Sequence, residues 1–390
     1  MTARKSILDS LIFTSVFRLS ATGMLLCLLI VLSAGLSFGQ ERIEVTWYNA
    51  ADLGIAGRGW TDTNTPYDRL PKHAEKKVPE AVWKRGSNTA GMTVPFATDA
   101  SMVIIRWKLR NPGISTPYLS SMSVAGLDLY LRKNDTWFWA ASKPPEPVKK
   151  GSSTSETTAT FLRGLSPELR EYLLYLPIYN GVESVEIGVP AGSRFGKTVG
   201  DTEKKPIVFY GSSIVQGSAS SRPGMTYVSQ LGRRLDNPVV NLGFSGLCHM
   251  EPEMADLLAE LDPAIFVIDC LPNMKTAEIS ERTVPLVKKI RQARPDTPIV
   301  FVENPKYSQA LWNPVNLKAV NTKNELLRKQ YDKLLKSGVS NLHYVKGEKL
   351  YGMDGNTTVD GVHPTDYGFT LFADALEPVL RGILEGQRAK

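Results

Sequence analysis

The hydrophobic pattern divides the chain into two parts with different spacing. From about residue 40 to 200, short runs rich in β-branched and aromatic residues alternate with turn-forming clusters. This pattern favours an antiparallel β-sandwich. The predicted strands are 43–47, 101–110, 127–132, 171–176 and 185–188. Apolar and polar residues alternate only in part at 102–109 and 127–131, so we expect some strands to be buried on both faces.

After residue 201, short apolar strands are followed by segments with helical spacing. The predicted strands are 207–210, 239–242, 264–270, 299–302 and 342–345, and the predicted helices are 225–235, 251–261, 279–293, 321–337 and 365–384. Strands that each precede a helix are typical of parallel βαβ units. The expected fold is a three-layer α/β/α domain at 201–390, preceded by an all-β sandwich domain at 40–200. Its ligands should bind at the carboxyl ends of the parallel strands.

Residues 1–39 have the charged-then-apolar order of a secretory signal peptide. Basic residues precede an uncharged apolar stretch at 21–39, which ends in small residues before Gln40. The alternative is an uncleaved anchor, because about 19 residues can just span a bilayer core of roughly 30 Å. In both cases we expect the remaining chain to be exported to the periplasm or the extracellular space, with no other membrane contact.

The composition excludes some kinds of protein and partner but does not change the predicted fold. The 390 residues are 42% apolar and 22% charged, as in ordinary globular proteins. Lys and Arg exceed Asp and Glu by 46 to 39, but the basic residues are scattered, so no nucleic-acid partner is expected. Six of the seven Trp lie in the β-rich part, where a buried core is the favoured role and a sugar-binding surface the alternative. The segment 135–140 is the best candidate for an exposed Trp pair, and 143–156 is predicted to be an exposed loop.

Three cysteines are too few for a disulfide scaffold. Cys27 lies in the leader, so Cys248 and Cys270 allow at most one disulfide. Cys270 ends an apolar run, and we therefore expect a buried free thiol there. The cysteines lack metal-site spacing to other Cys or His residues, so neither a metal ion nor another cofactor is expected.

A candidate nucleophile follows the first strand of the second part. The chain runs directly into Gly211, Ser212 and Ser213. Small residues allow a sharp turn that leaves a hydroxyl at the strand tip, as an attacking serine requires. An ordinary turn is the alternative for this segment taken alone.

Candidate hydrogen-bond donors follow the next two strands. Gly246 offers an unshielded amide, and Asn273 offers a side-chain carboxamide next to Pro272, which has no N–H. With the amide of Ser213 they could form an oxyanion hole, in which one donor contributes about 3 to 4 kcal/mol to the transition state. A turn glycine with positive φ and a loop-capping Asn are the alternatives.

A candidate base lies just before the final predicted helix. Asp360 precedes His363 by three residues, across a Gly, so its carboxylate can reach Nδ1 and leave Nε2 free to accept a serine proton. A turn Asp followed by a helix-start His is the alternative. His249 is a candidate to line the same site, although Glu251 is its only carboxylate neighbour in sequence.

These blocks resemble the SGNH (GDSL-type) hydrolases, in order and at similar spacing, over residues 206–384. Residues 126–130 (GLDLY) resemble the GxDLY motif of a β-sandwich domain found before such domains in secreted bacterial proteins. The resemblance implies a flavodoxin-like hydrolase domain with Ser213 as nucleophile, His363 as base and Asp360 as its orienting acid. It also implies an oxyanion hole formed by Ser213, Gly246 and Asn273. Two residues depart from the family pattern, because Ser212 replaces the usual Asp and Met274 follows Asn273 where many members have Asp.

The expected function is that of an exported serine esterase that removes short acyl groups, above all acetyl, from carbohydrate. Ser212, His249 and Trp312 are the candidate substrate contacts, with Trp312 on either a substrate wall or a surface loop. A lipase or lysophospholipase is one alternative, and a non-catalytic carbohydrate-binding protein is another. The substrate preference rests on the family analogy, the predicted secretion and the aromatic-rich β domain rather than on the candidate triad.

Overall fold

The computed structural model describes residues 43–147, 155–198, 204–352 and 354–388. The predicted leader and the predicted boundary near residue 200 lie outside these ranges, as do residues 148–154, half of the predicted loop at 143–156. Among the described residues, no helix is both long and apolar enough to cross a membrane. Val45–Lys390 packs as one compact unit that contains both parts of the predicted fold.

The β half, residues 43–198, is a sandwich of two antiparallel sheets, as the sequence predicted. Its strands are β1 (Val45–Asn49), β2 (Thr93–Thr98), β3 (Met102–Leu109), β4 (Leu127–Lys133), β5 (Thr136–Lys143), β6 (Glu156–Arg163), β7 (Arg170–Tyr175), β8 (Val182–Pro190) and β9 (Phe195–Gly196). Its short helices are α1 (Ala50–Leu53), α2 (Glu80–Gly86) and α3 (Ser121–Ala125). The strand orders are β1-β8-β3-β6 in one sheet and β5-β4-β7-β2-β9 in the other.

Burial on both faces occurs in β4 but not in β3. In β3, Val103, Ile105 and Trp107 are buried in the core between the sheets, whereas Arg106 and Lys108 face outward, so of these two strands only β4 has the predicted burial on both faces. In β4, all four residues from 127 to 130 are buried. The outer face of β4 is covered by the other half of the molecule, which accounts for the difference.

The tryptophans of the β half mostly lie outside its core. Trp107 is fully buried, but Trp60 and Trp83 pack against the core of the other half, and Trp139 is 53% exposed. Trp137 is partly buried, so only Trp139 of the exposed pair predicted at 135–140 is exposed. The predicted core role is therefore right for only one of the six.

The α/β half, residues 204–388, is built on a five-stranded parallel sheet. Its strands are β10 (Ile207–Gly211), β11 (Val239–Gly243), β12 (Ile265–Asp269), β13 (Ile299–Val302) and β14 (Leu342–Val345). Its helices are α4 (Ser213–Gln216), α5 (Tyr227–Leu235), α6 (Pro252–Glu260), α7 (Thr276–Ala293), α8 (Pro314–Lys336) and α9 (Asp366–Arg388). The order β11-β10-β12-β13-β14, with every pair parallel, is that of a flavodoxin-like doubly wound sheet.

Alternate residues of the central strands enter two separate cores. In β10, Val208 and Tyr210 pack with residues of α6, α7 and α8, whereas Ile207 and Phe209 pack with residues of α5 and α9. Successive side chains of a strand point to opposite faces, so helices on both sides bury every residue of β10. The predicted three-layer arrangement is confirmed.

The topology fixes where a site can form. The chain leaves β10 for β11 on one side and then returns to β12 on the other side of β10. The connections after these strands therefore diverge, which opens a crevice at their carboxyl ends. Ser213, Gly246 and Asn273 all follow these ends.

Candidate active site

Ser213 lies at the first residue of α4, directly beyond β10. Gly211 makes this turn possible, because a Cβ there would lie 2.2 Å from Cγ2 of Val215 and 2.5 Å from the carbonyl oxygen of Asp269. Ser212 caps α4 by accepting a hydrogen bond from the Ile214 amide at 3.3 Å. Ser212 has no exposed surface, so capping is its role in the structure, and it offers nothing for the substrate contact that the sequence suggested.

Ser213, His363 and Asp360 form a continuous hydrogen-bonded chain. Ser213 Oγ lies 2.9 Å from His363 Nε2, although the residues are 150 positions apart. His363 Nδ1 lies 2.7 Å from Asp360 Oδ2. With Nδ1 donating to the carboxylate, Nε2 is left as the acceptor that a serine hydroxyl needs.

The Asp360 carboxylate is held in its ionised form by its own loop. Its Oδ1 accepts hydrogen bonds from the amides of Val362 at 3.0 Å and His363 at 2.8 Å. Burial opposes ionisation, but the hydrogen bonds from the amide and ring of His363 and the amide of Val362 outweigh it and lower the pKa of Asp360. The turn uses Gly361 at φ +91°, a conformation that glycine adopts without strain. Tyr351 fixes the loop further by donating to the Val362 carbonyl at 2.9 Å.

Two backbone amides that follow strand ends are candidate hydrogen-bond donors to a substrate. Within the described ranges, the amides of Ser213 and Gly246 have no hydrogen-bond acceptor. Gly246 has φ +75°, as expected of a turn glycine. The Asn273 carboxamide lies against this turn and donates through Nδ2 to the Leu247 carbonyl. One of its two amide hydrogens remains available, so its predicted oxyanion role stays a prediction.

A disulfide joins the Gly246 and Asn273 loops. Cys248 and Cys270 are bonded, with Cα atoms 5.5 Å apart, so the predicted free thiol at Cys270 is wrong. Both cysteines are buried, and an apolar environment suits a disulfide as well as a thiol. The bond closes a connection between the residues that follow β11 and those that follow β12.

Two cations hold the main chain around these loops. Lys323 of α8 donates to the carbonyls of Leu271 and Pro272, both at 3.2 Å, and burial lowers the pKa of its ammonium. Arg69 comes from the β half and is only 1% exposed. Its guanidinium donates to the carbonyls of Asn241 at 3.0 Å and Gly243 at 2.8 Å, at the end of β11.

A second acid lies buried beneath the turn that bears Ser213. Asp269 is the last residue of β12, and its carbonyl accepts the amide of Ser212 at 3.2 Å. Its Oδ2 accepts a hydrogen bond from the Tyr227 hydroxyl at 3.0 Å, and its Oδ1 has no partner among the described residues. Burial raises the pKa of Asp269 to about 7, despite the opposing hydrogen bond from Tyr227.

His249 pairs with a carboxylate that its sequence neighbourhood did not indicate. Its Nδ1 lies 3.0 Å from Oε2 of Glu278 on α7, whereas Glu251 accepts the backbone amide of His249. The His249 side chain is 25% exposed. It follows the Gly246 turn, and its substrate contact stays a prediction.

Trp312 is exposed close to the loop that bears His363. The 3-10 turn Ser308–Leu311 packs on this loop through a 2.7 Å hydrogen bond between Ser308 and Thr358 and through Gln309 beside Gly361. Trp312 follows directly and is 74% exposed. This position is compatible with a substrate wall.

Sequence reasoning missed an aromatic residue supplied by the β half. The ring of Tyr118 lies nearly parallel to the His363 imidazole, with centroids 5.7 Å apart and an interplanar angle of 16°. Tyr118 belongs to a loop with no regular hydrophobic spacing, so no local signal marked it. Among the described residues, no group of three or more His, Cys, Asp or Glu is placed to hold a metal ion.

Family models match both halves. The GDSL-like lipase/acylhydrolase family matches residues 204–381, and the GxDLY model, which describes the N-terminus of SGNH-hydrolase-type esterases, matches residues 45–195. No curated protein matches the chain.

Solved structures resemble the protein over most of its length. A crystal structure of a GDSL-like lipase from Bacteroides ovatus is 33% identical, with a TM-score of 0.82, and the match covers 88% of this chain and 98% of that one. The salicylyl-acyltransferase SsfX3 from a tetracycline biosynthetic pathway is 20% identical, with a TM-score of 0.69 and coverages of 88% and 99%. A family two carbohydrate esterase from Clostridium thermocellum, solved with cellohexaose, is 14% identical, with a TM-score of 0.54 and coverages of 76% and 93%. The last two support the fold alone, whereas the first, together with the family models, shows that this chain belongs to the GDSL-like (SGNH) lipase/acylhydrolase family and is an ester-hydrolysing enzyme.

Proposed function

We propose that the protein is an exported serine esterase that removes short acyl groups, above all acetyl, from carbohydrate. Ser213 is the nucleophile, His363 the general base and Asp360 the acid that orients it. The observation that carries the catalytic part is the hydrogen-bonded chain from Ser213 Oγ to His363 Nε2 at 2.9 Å and from His363 Nδ1 to Asp360 at 2.7 Å.

The first half of the reaction forms an acyl-enzyme. Ser213 Oγ attacks the ester carbonyl carbon while His363 Nε2 takes its proton, and the carbonyl oxygen becomes an oxyanion. When this intermediate collapses, the bond to the alcohol oxygen breaks and His363 returns the proton to the leaving alcohol. Asp360, with its lowered pKa, stays ionised and stabilises the imidazolium in both steps.

The second half releases the acid. Water attacks the acyl carbon as His363 takes one of its protons, and that proton then returns to Ser213 Oγ as the carboxylic acid departs. Throughout, the free amides of Ser213 and Gly246 are suited to stabilise the oxyanion. Asn273 is the third donor in this proposal, acting through the amide hydrogen that does not bind Leu247.

The carbohydrate preference is supported by the surroundings of His363. Two exposed aromatic side chains, Tyr118 and Trp312, lie on or near its loop. Aromatic rings offer the flat apolar faces on which sugar rings pack, while their polar atoms stay in water. Fold similarity to family two carbohydrate esterases agrees with this class of substrate. Export is proposed from the sequence of residues 1–39.

The test is hydrolysis of p-nitrophenyl esters from acetyl to long-chain acyl by the chain from Gln40 onward, next to Ser213→Ala. We expect activity on short acyl chains and a loss of at least about 10³-fold in kcat/KM in the variant. Asp360→Asn should lose activity at similar substrate KM, because it removes the orienting charge rather than a substrate contact. Release of acetate from acetylated oligosaccharides then tests the proposed preference for carbohydrate esters.

Different outcomes would favour different functions. Faster turnover of long-chain esters than of acetyl esters would favour a lipase, for which exposed Val359 and Val362 beside His363 would be the acyl contacts. Equal activity in the parent protein and Ser213→Ala would contradict the serine mechanism. Glycan binding without any ester cleavage by the folded protein would favour a non-catalytic carbohydrate-binding protein.

A further inference from the structure

Tyr118 lies at the tip of a fixed turn in the β half. The amide and carbonyl of Thr116 pair with those of Leu119 at 3.1 and 3.2 Å, so Pro117 and Tyr118 form the turn between them. Leu119 is buried in the core of the β half, at 4% exposure, whereas Tyr118 is 51% exposed. The turn thus projects one aromatic ring from a well-packed base.

The segment before this turn is also fixed. Asn180 is 1% exposed, and its carboxamide nitrogen donates to the carbonyls of Asn111 at 2.8 Å and Gly113 at 2.9 Å. Its Oδ1 accepts the amide of Asn111 at 3.1 Å. Because both ends of the loop are bound to the sandwich, the position of Tyr118 is set by the β half and not by the half that carries Ser213.

The ring of Tyr118 borders one particular side of the reaction centre. His363 Nε2 must deliver its proton to the leaving oxygen, so the alcohol portion of the ester must pass beside the imidazole. The carbonyl oxygen instead points toward the free amides of Ser213 and Gly246. A ring stacked on His363 at 5.7 Å therefore adjoins the path of the alcohol portion.

We propose that Tyr118 is a specificity-determining residue that binds the alcohol portion of the ester, and that this portion is a pyranose ring. This inference rests on the proposed esterase function. The half-exposed Tyr118 ring presents an apolar face for the C–H face of a sugar and a hydroxyl at its edge. The complete substrate site is then formed by both halves, with the chemistry in one and the selection of the alcohol in the other.

The test keeps the acyl group constant and changes the alcohol. Ethyl acetate and methyl 6-O-acetyl-glucopyranoside are compared as substrates of the parent protein, Tyr118→Ala and Tyr118→Phe. Phe138→Ala is the matched control, because Phe138 is an aromatic residue of the β half with 50% exposure, on β5. A p-nitrophenyl acyl series, in which the leaving group is constant, measures the acyl preference separately.

We expect Tyr118→Ala to lower kcat/KM about tenfold on the sugar acetate, mainly through KM, and less than about twofold on ethyl acetate. Tyr118→Phe should keep the preference for the sugar ester, and the acyl preference should not change in any variant. Equal losses on both acetates, a changed acyl preference or a parent protein without preference for the sugar ester would each overturn the inference. Undiminished p-nitrophenyl acetate hydrolysis by Ser213→Ala would instead contradict the proposed function.

Discussion

The two halves of the molecule contribute to the site in different ways. In the α/β half, the candidate catalytic groups follow strand ends that the sheet brings together or precede the last helix, so chain order and topology place them. In the β half, Arg69, Tyr118 and Asp128 reach the other half from loops and from the outer face of a strand. The comparison teaches that the chemistry is encoded in short local segments, whereas its support depends on contacts between residues far apart in sequence.

The GxDLY segment illustrates this support. Asp128 has no exposed surface, and its Oδ2 accepts hydrogen bonds from Arg222 at 2.7 Å and from the amide of Gly224 at 2.9 Å. The neighbouring Ser221 binds Asp366 at the start of α9, just after His363, through its amide at 2.8 Å and its hydroxyl at 2.5 Å. Asp128 of the motif therefore fixes the loop that contains Ser221 and Arg222. The same loop binds the first residue of α9, which follows His363 closely in the chain.

The largest expected effect on stability comes from breaking this contact. Asp128→Ala leaves Arg222 without its buried carboxylate partner, and we expect a loss of about 4 kcal/mol in the free energy of unfolding. Urea unfolding should be followed by tryptophan fluorescence, since six of the seven Trp lie in the β half, and by residual esterase activity, which reports on the α/β half. If the halves unfold as one unit, both midpoints shift together.

Asp62→Ala is the matched control for this experiment. Its side chain is 70% exposed, and its ion pair with Lys72 at 3.3 Å is a surface pair, so we expect a change below about 0.5 kcal/mol. Separate midpoints for the two probes, or an Asp128 variant as stable as the control, would show that the halves are energetically independent.

The second prediction concerns the ionisation of Asp269, which is buried at the end of β12 in the α/β half. An unfolded Asp ionises above its ordinary pKa of 3.8, but Asp269 in the folded protein keeps its proton up to about pH 7. Between these values the unfolded state binds fewer protons, so this group makes the protein less stable as the pH rises. From pH 4 to pH 7 the loss amounts to about 3 kcal/mol, at about 1.4 kcal/mol per pH unit.

Asp269→Asn should remove this pH dependence, because the amide does not ionise and its oxygen can still accept from Tyr227. The stability difference between variant and parent is measured by urea unfolding from pH 4 to pH 8. It should grow in favour of the variant as the pH rises and level off above pH 7. Asp256→Asn controls for the loss of a negative charge, because the Asp256 side chain is 60% exposed. Parallel curves of stability against pH for the parent and the Asp269 variant would contradict the prediction.

The sequence predicted the α/β half closely for a physical reason. Strands buried on both faces form continuous apolar runs, and predicted strands such as 299–302 and 342–345 coincide with β13 and β14. The candidate catalytic residues could be predicted for a related reason, since each follows a strand end or precedes the last helix. Ser213, Asp360 and His363 therefore emerged from short segments, and the fold brings them within hydrogen-bond distance.

The β half was less readable because its strands are half-buried and irregular. The predictions missed β2, which contains Pro95, and β6, a Thr-rich strand at the edge of its sheet. Pairings that depend on the folded state were also missed, such as Glu278 with His249 across 29 positions. Tyr118 lies in a loop whose position depends on Asn180, and no spacing rule connects them.

The last prediction tests whether the α/β half also depends on support beyond its strand ends. Cys248 and Cys270 are 22 positions apart, and removing a disulfide that closes such a loop costs about 3 kcal/mol. The double variant Cys248→Ala/Cys270→Ala should lose about this much stability and also lower kcat for p-nitrophenyl acetate, because the turns that bear Gly246 and Asn273 are no longer covalently linked. A reductant should have the same effect on the parent protein and none on the double variant. An unchanged kcat in the less stable double variant would mean that the disulfide is not needed to hold these turns, and that hydrogen bonds such as those from Lys323 to the Leu271 and Pro272 carbonyls are sufficient.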